Sequence, residues 1–530
     1  MSPSPPPLEQ RARTLLDRGE TQQAVTLLET ERASESADLT VLLAYTDALE
    51  RALRVDDALA LVERAAARVS GPALFIRGAG LAAAKEDRAK RDAFLREADR
   101  RSPNDSVVLA AQADARSDDG DTDGAIAFLR RAIDCHDPRH SPPVSYLLAL
   151  NVELMKVGRA HEGHELLERA DRRAATMPVT HSARVMTAHY YQPELSASAS
   201  ERRASLEAFR LDHRRFGDRF GVRVSTCCKS DASTHGRKLR IGYVSPDFRN
   251  HSVARFLLPV LRAHDRERFD VYCYSTTSQA PDATTALIAA AVTELVDLRE
   301  LATGAAAERI SADAPDVLVD LAGHTGPHQL AIFARRVAPV QLSFLGYPDV
   351  TGLPEMDGFI TDPVASPPSA DAYAVEPLLR LPHTAWTFDP QIGTLETSRV
   401  PSKGVVFGAL HNLAKITDSM LHVWAKILDS VPASTLTLAF RTHSEEARRA
   451  FGQRLVASGI SEARVTKIAP VRERQRHIER LREIDIVLDT FPYAGTTTTC
   501  EALWMGVPVV SLGATRTQAG SGRACSTRSA

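Results

Sequence analysis

Residues 485–506 begin Asp485-Ile486-Val487-Leu488-Asp489-Thr490, turn through Phe491 to Gly495, and run on as Thr496-Thr497-Thr498-Thr499 into an apolar stretch closed by Met505 and Gly506. A short apolar run ending in an acid, a Pro/Gly-bearing turn and a helix start predict one strand–loop–helix unit of a parallel sheet. The unpaired backbone N–H groups of that helix start, beside the hydroxyls of Thr497 and Thr498, make a natural anion site. A simple threonine-rich cap is the plain alternative. Four consecutive β-branched residues in a helix are unfavourable without another use, which argues for a ligand. Glu501, one turn further in, is placed to accept hydrogen bonds from ligand hydroxyls.

Outward from this unit the same alternation recurs. Strands are predicted at Val405-Val406-Phe407, Thr435–Leu438, Val465–Ile468 and Val509–Leu512 on one side, and at Leu239–Ser245, Phe269–Tyr274, Val317–Leu321 and Val340–Phe344 further upstream. Strands alternating with helical spacing imply parallel, doubly wound sheets. The stretch 389–403 reads as the hinge between two Rossmann-like halves, and two such halves facing a cleft suit a bulky two-part ligand. Charged and proton-accepting residues follow several strand ends. Lys415, in His411-Asn412-Leu413-Ala414-Lys415, follows the Val405 strand and would offset the charge of a leaving phosphate, although a lone lysine is ordinarily a solvated surface charge. His251 follows the Leu239 strand and is the candidate proton acceptor. His324 follows the Val317 strand and either binds a ligand or shapes its loop. His477 lies ahead of the Asp485 strand, where it could stack on a base.

The N-terminal part reads differently. It is rich in Ala, Leu, Arg and Glu and shows a repeat: Gly19 to Leu28 recurs as Val55 to Val62, and Ala24 to Ala58 is 34 residues. That is the period of tetratricopeptide helix pairs. Weaker echoes fall at Ala93, at Gly124-Ala125 and at Gly163. Stacked pairs would bury a continuous core and leave a concave groove; a plain helical bundle is the alternative. Asp119 to Gly124 resembles the start of a calcium loop, but Arg130 occupies the twelfth position, so an acidic helix cap is expected instead. The organisation is therefore α plus α/β: helical repeats over 1–170, a helical connector over 171–237, a first Rossmann-like domain over 238–395, and a second over 396–530.

Bulk properties exclude several classes. The 530 residues carry a formal net charge of -2, which gives no argument for a nucleic-acid or membrane-surface partner. No run of 18 apolar residues is present, and the Pro-rich, charged start has no signal core. Six cysteines without a CxxC pair suggest reduced thiols and a cytoplasmic protein.

Taken together, these strings resemble the family of SPINDLY proteins and protein O-GlcNAc transferases. The resemblance is carried by Leu239-Arg240-Ile241-Gly242-Tyr243-Val244-Ser245-Pro246-Asp247, Gly323-His324-Thr325, Leu345-Gly346-Tyr347-Pro348, Thr351-Gly352-Leu353-Pro354, Asn412 to Thr417 and Leu488 to Glu501. SPINDLY-like members match best. The resemblance implies a tetratricopeptide protein with a two-Rossmann (GT-B type) catalytic region. It would transfer a sugar from a nucleotide donor to Ser or Thr hydroxyls of proteins, with inversion and without a metal or other cofactor. The donor is UDP-GlcNAc on one side of the family and GDP-fucose on the other. By the same resemblance His251 is the catalytic base or acceptor-positioning group, and Lys415 lies on the diphosphate. Asn412 contacts the nucleotide, Thr497 and Thr498 bind phosphate, and Glu501 holds the ribose. His477 stacks on the base, with Arg474 a nearby basic position. The repeats would present protein substrates.

Departures include His411 where relatives often carry Asn, and Val350 for a usual Thr or Ser. The largest lies beyond Leu512. Relatives continue with a His-containing phosphate loop, whereas this chain reads Gly513 to Ala530 without apolar periodicity. A shifted reading frame over Arg516 to Gly522 permits His-Ala-Gly-Arg-Val-Gly, the expected string. A frameshift near Gly513 to Thr515 is therefore expected, in the gene or in its record. A chain that truly followed this tail would have an incomplete second Rossmann domain, and the alternative function would be a catalytically impaired, repeat-based binding scaffold.

Overall fold

The structure is a computed structural model that describes residues 5–135, 143–173, 176–192, 194–222, 236–277, 279–393, 395–440, 443–468 and 473–512. The tail from 513, with the expected frameshift, lies outside the described residues. By internal contacts the chain divides into two units, Met1–Glu153 with Glu300–Ala306, and Leu154–Arg299 with Ala307–Ala530.

In the first unit, helices α1 (Leu8–Asp17), α2 (Thr21–Thr30), α3 (Leu39–Arg51), α4 (Val55–Ala65), α5 (Ala73–Ala84), α6 (Arg88–Arg101), α7 (Ser106–Asp118) and α8 (Thr122–Asp134) pack in consecutive pairs. Ala24, Ala58 and Ala125 occupy the fourth position of α2, α4 and α8 and are fully buried. The third repeat differs from the sequence reading. Ala93 is exposed, and the position equivalent to Ala58 holds Arg91. Its buried guanidinium pairs with Asp92 (2.8 Å) and Asp119 (2.6 Å), which is how a charged side chain is accommodated there. With Asp119 so engaged and Asp121 accepting from the Gly124 N–H at 2.9 Å, the acidic turn caps α8.

α9 (Val144–Lys156) crosses from the first unit to the second. There, α10 (Ala160–Arg173), α11 (Pro178–Ala188) and α12 (Ala199–Phe220) group with the sheets, although the sequence reading placed α10 among the repeats. α12 starts with a capping box, Ser198 and Glu201.

The first sheet holds β1 (Leu239–Ser245), β2 (Phe269–Ser275), β3 (Glu294–Asp297), β4 (Val317–Asp320), β5 (Val340–Phe344), β6 (Gly358–Thr361) and β7 (Leu378–Arg380), in the order β3-β2-β1-β4-β5-β6-β7. Its crossover helices are α13 (Ser252–Ala263), α14 (Ala283–Ala290), α15 (Thr303–Ala312) and the short α16 (Leu330–Phe333). The second sheet holds β8 (Val406–Ala409), β9 (Thr435–Ala439), β10 (Val465–Ile468), β11 (Ile486–Leu488) and β12 (Val509–Val510), in the order β10-β9-β8-β11-β12, with helices α17 (Asp418–Ser430), α18 (Glu445–Ala457), α19 (Arg474–Glu479) and α20 (Thr496–Trp504). Every pairing is parallel. Both strand orders reverse beside the first strand of the sheet. Ligands of such sheets bind at these switch points, beyond the carboxyl ends of the strands.

α13 shows how the halves are tied. It buries Val253, Ala254, Phe256, Leu257, Leu258 and Leu261 against the first sheet. Pro259 inside it has no N–H to give the Arg255 carbonyl. The Asp389 N–H donates to that carbonyl instead (2.9 Å), while the Thr387 hydroxyl and the Gln391 amide reach the carbonyls of Phe256 (2.6 Å) and Ala254 (3.3 Å). The segment read as a hinge thus begins anchored to α13. Further along, the Val400 N–H donates to the Arg482 carbonyl of the second half (2.9 Å). Among the described residues, no helix is long and apolar enough to cross a membrane.

Candidate functional site

Four strand ends meet the two switch points: β1 and β4 in the first sheet, β8 and β11 in the second. His251 follows β1 as the N-cap of α13, and Lys415 follows β8. Thr497 and Thr498 open α20 after β11. The halves approach each other here. Arg255, one turn along α13 from His251, lies in the field of Arg474 and Glu501 of the second half. Cys500 of α20 packs against the first sheet's core, and Trp504 meets Phe388 edge-on at 6.4 Å.

The His251 side chain is 38% exposed and its Nδ1 lies 3.4 Å from Asp247 Oδ2. The Val253 N–H also points to Nδ1, at 3.4 Å. Nδ1 cannot serve both partners at once. With its proton directed to Asp247, Nε2 keeps the lone pair that accepts a proton; with the backbone N–H bound, Nε2 carries the hydrogen. Burial holds the imidazole below its ordinary value, Asp247 opposes this, and Arg249 and Arg255 reinforce it. The ring is therefore neutral near pH 7, as a proton acceptor requires.

In the second half, Asp489 organises the turn. Its Oδ1 accepts from the N–H groups of Thr490 and Gly495, both at 2.8 Å, and its Oδ2 from the Ser511 hydroxyl at 2.8 Å. Gly495 then serves as N-cap of α20, and no side chain caps that helix. A Cβ on Gly495 would collide with the His411 ring, so glycine is required there by close approach. His411, the departure noted above, is wholly buried, 3.6 Å from Asp489. Thr499 spends its hydroxyl on the Gly495 carbonyl, whereas Thr497 and Thr498 lie ahead of it in the first turn. Lys415 Nζ is 3.4 Å from the Ala494 carbonyl and 3.8 Å from the centroid of the Tyr493 ring. Asn412 caps its own turn, accepting from the Ala414 N–H at 3.2 Å, so its carbonyl oxygen has a structural task besides any nucleotide contact.

Glu501 is buried and accepts from Arg474 Nη1 at 2.7 Å, so its carboxylate already has a partner in the protein. Arg474 begins α19, the helix that also carries half-buried His477. Nε and Nη2 of Arg474 and Nε of Arg255 are buried without a hydrogen-bond partner. Burial holds both guanidiniums below their ordinary range, Arg255 at about 10. Orphaned cationic donors of this kind suit an anion. Arg255 was missed in the sequence. Its spacing of one helical turn from His251 was the available signal.

His324 is placed elsewhere, which settles the choice left open for it. It is buried, with Nδ1 2.8 Å from the Ser182 hydroxyl and Nε2 2.8 Å from the Thr351 carbonyl, and it meets Phe216 edge-on at 4.6 Å. Both ring nitrogens are spent, so it shapes the loop against the connector and does not bind substrate. Nearby, the Nε2 atoms of His189 and His213 each lie 2.8 Å from the Tyr347 hydroxyl, and His213 Nδ1 donates to the Phe209 carbonyl at 2.7 Å. His189, His213 and Asp349 bring ligand-type atoms within 4.8 Å of one another. One hydroxyl joining two imidazoles, donating to His213 and accepting from His189, already accounts for how those rings point.

The sequence profile of glycosyl transferase family 41 matches residues 223–392 and 388–527, more than half of the chain. A probable UDP-N-acetylglucosamine–peptide N-acetylglucosaminyltransferase SPINDLY from Solanum lycopersicum is 40% identical over 310 residues, covering 57% of this chain and 33% of that protein. The SEC protein of Arabidopsis thaliana, described with the same probable activity, is 30% identical over 287 residues, covering 52% and 29%. The chain thus spans about a third of the length of these curated relatives. A mutant O-GlcNAc transferase from Thermobaculum terrenum superposes with a TM-score of 0.76 at 29% identity, over 86% of this chain and 84% of that one. With two Rossmann sheets whose switch points carry the strings that suggested the relationship, the chain belongs to glycosyl transferase family 41, the family of the SPINDLY proteins and O-GlcNAc transferases.

Proposed function

We propose that this chain is a protein O-glycosyltransferase: it moves a sugar from a nucleoside diphosphate donor to Ser or Thr hydroxyls of proteins, with inversion and without a metal or other cofactor. The observation that carries this reading is the division of chemistry between the switch points, a neutral histidine after β1 and an anion site after β8 and β11. In this reading His251 Nε2 takes the proton of the acceptor hydroxyl while Asp247 holds Nδ1–H. The hydroxyl oxygen attacks the anomeric carbon from the face opposite the diphosphate, and the C–O bond to the diphosphate breaks. Lys415 and the start of α20 receive the charge of the departing diphosphate, the task a divalent ion performs in other sugar transferases. Arg474 and Arg255 add positive charge. Glu501 holds the ribose, and His477 stacks on the base.

The names of the relatives support UDP-GlcNAc as donor, with GDP-fucose as the alternative. The helical repeats would present the acceptor, and the setting would be cytoplasmic, with no nucleic-acid or membrane partner. Intact-mass analysis of acceptor proteins incubated with each donor in the presence of EDTA tests this. A single-sugar mass shift that disappears in His251→Ala and Lys415→Ala is expected. Neither transfer nor donor hydrolysis with either donor would overturn it and leave the repeat-based scaffold.

A further inference from the structure

Two tyrosines outside this chemistry surround its cation. Lys415 Nζ stands 3.8 Å from the Tyr493 ring centroid. Tyr493 in turn stacks on Tyr190, with centroids 4.9 Å apart and ring planes 11° from parallel. A ring stacked on one side offers its other face to an ammonium, and the negative face of an aromatic ring attracts such a charge. Tyr190 lies just past α11, in the connector between the repeats and the sheets. Its neighbour His189 bonds Tyr347, which follows β5 of the first sheet. Consecutive connector residues thus hold the first half through Tyr347 and the second through Tyr493.

We propose that Tyr493 and Tyr190 are positioning residues for Lys415: the stack fixes the ammonium at the end of β8, so that it meets the diphosphate without first being ordered. This rests on the reading of Lys415 as the diphosphate cation. A lysine side chain free in solution samples many rotamers, and a cation held in place contributes more to a developing charge than one that must be recruited. The hydroxyls of the two tyrosines are not required; the ring faces are.

The test is calorimetric titration of the full chain with UDP, UMP, GDP and GMP, because only the diphosphates add the group Lys415 meets. Lys415→Ala should abolish the preference of the wild type for diphosphate over monophosphate. Tyr493→Leu and Tyr190→Ala should weaken the preferred diphosphate by about fivefold, within the range of a cation–π contact, and change the monophosphate by less than about twofold. Tyr493→Phe and Tyr190→Phe should retain wild-type affinity, which also shows that the fold tolerates change there. Tyr493→Leu made in Lys415→Ala should add nothing, as coupled residues require. Three results would overturn the inference: a preference kept in Tyr493→Leu and Tyr190→Ala but lost in Lys415→Ala, equal weakening of di- and monophosphate, or additivity in the double variant. If Lys415→Ala itself keeps the preference, the assignment of Lys415 fails and the inference falls with it.

Discussion

The two sheets of the catalytic region share the same strand order around their switch points, yet their corresponding loops do opposite work. After β4 of the first sheet, Gly323-His324 turns inward, and His324 is consumed by Ser182 and Thr351. After β11 of the second, the chain turns into an uncapped helix start. After β1 comes a histidine paired with a carboxylate, and after β8 a lysine on an aromatic ring. Common topology therefore fixes where ligands can approach, while the loops decide which half handles protons and which handles phosphate. In the first half one of the two switch-point loops has been given over to docking the connector.

That division can be broken experimentally. Lys415→Ala should have the largest effect, lowering kcat/KM for transfer by on the order of 10²–10³, as expected for loss of a preorganised charge at a leaving group. If the proton-handling half were instead limiting, the loss would be small. His251→Ala should lower kcat by on the order of 10² and remove the acidic limb of the pH–rate profile. Because the imidazole is held below its ordinary value by burial, that limb in the wild type should lie below pH 6.5 and be flat above it. Asp247 opposes the shift, so Asp247→Asn should move the limb lower still.

His324→Ala sharpens the contrast from the other side. It should destabilise the protein by about 2–3 kcal/mol, from loss of two buried hydrogen bonds and an aromatic contact, with the donor KM unchanged. Urea denaturation paired with kinetics would measure both; a changed donor KM at unchanged stability would return His324 to the ligand. The smallest effect concerns Glu376, which accepts from the N–H groups of Thr351 and Gly352 beside His324. Burial pushes its carboxyl up to about 7. A carboxyl raised on folding holds its proton longer in the native state, so its contribution is full below the unfolded value and is lost as pH rises through the folded one. Tm should therefore decline between about pH 5 and about pH 7, and Glu376→Gln should flatten that decline.

Much of this was readable in the sequence because it rests on local chemistry. The β1 strand and the Asp489-to-Thr499 turn carry their own periodicity and turn residues, and they lead to His251, Lys415 and the threonines. β3, β6 and β7 escaped notice. They have three or four residues each, and β3 and β7 are edges whose polar residues mask any alternation. Residues whose partners are remote were also illegible. Nothing near Glu501 announces Arg474, nothing near His324 announces Ser182, and the tyrosine stack joins positions 190 and 493. The slip at Ala93 has the same origin, because the charge that buries Arg91 comes from Asp119, in the next helix pair.

The proline inside α13 has a consequence for biosynthesis. The carbonyl it leaves open is filled by the N–H of Asp389, a residue added to the growing chain long after the helix itself. At about 5–20 residues per second, roughly ten seconds of translation separate the two. Until the later segment has emerged from the ribosome, the helix that begins at the proposed base carries an unfilled carbonyl in its middle, so the nascent first half would be a natural client for chaperones.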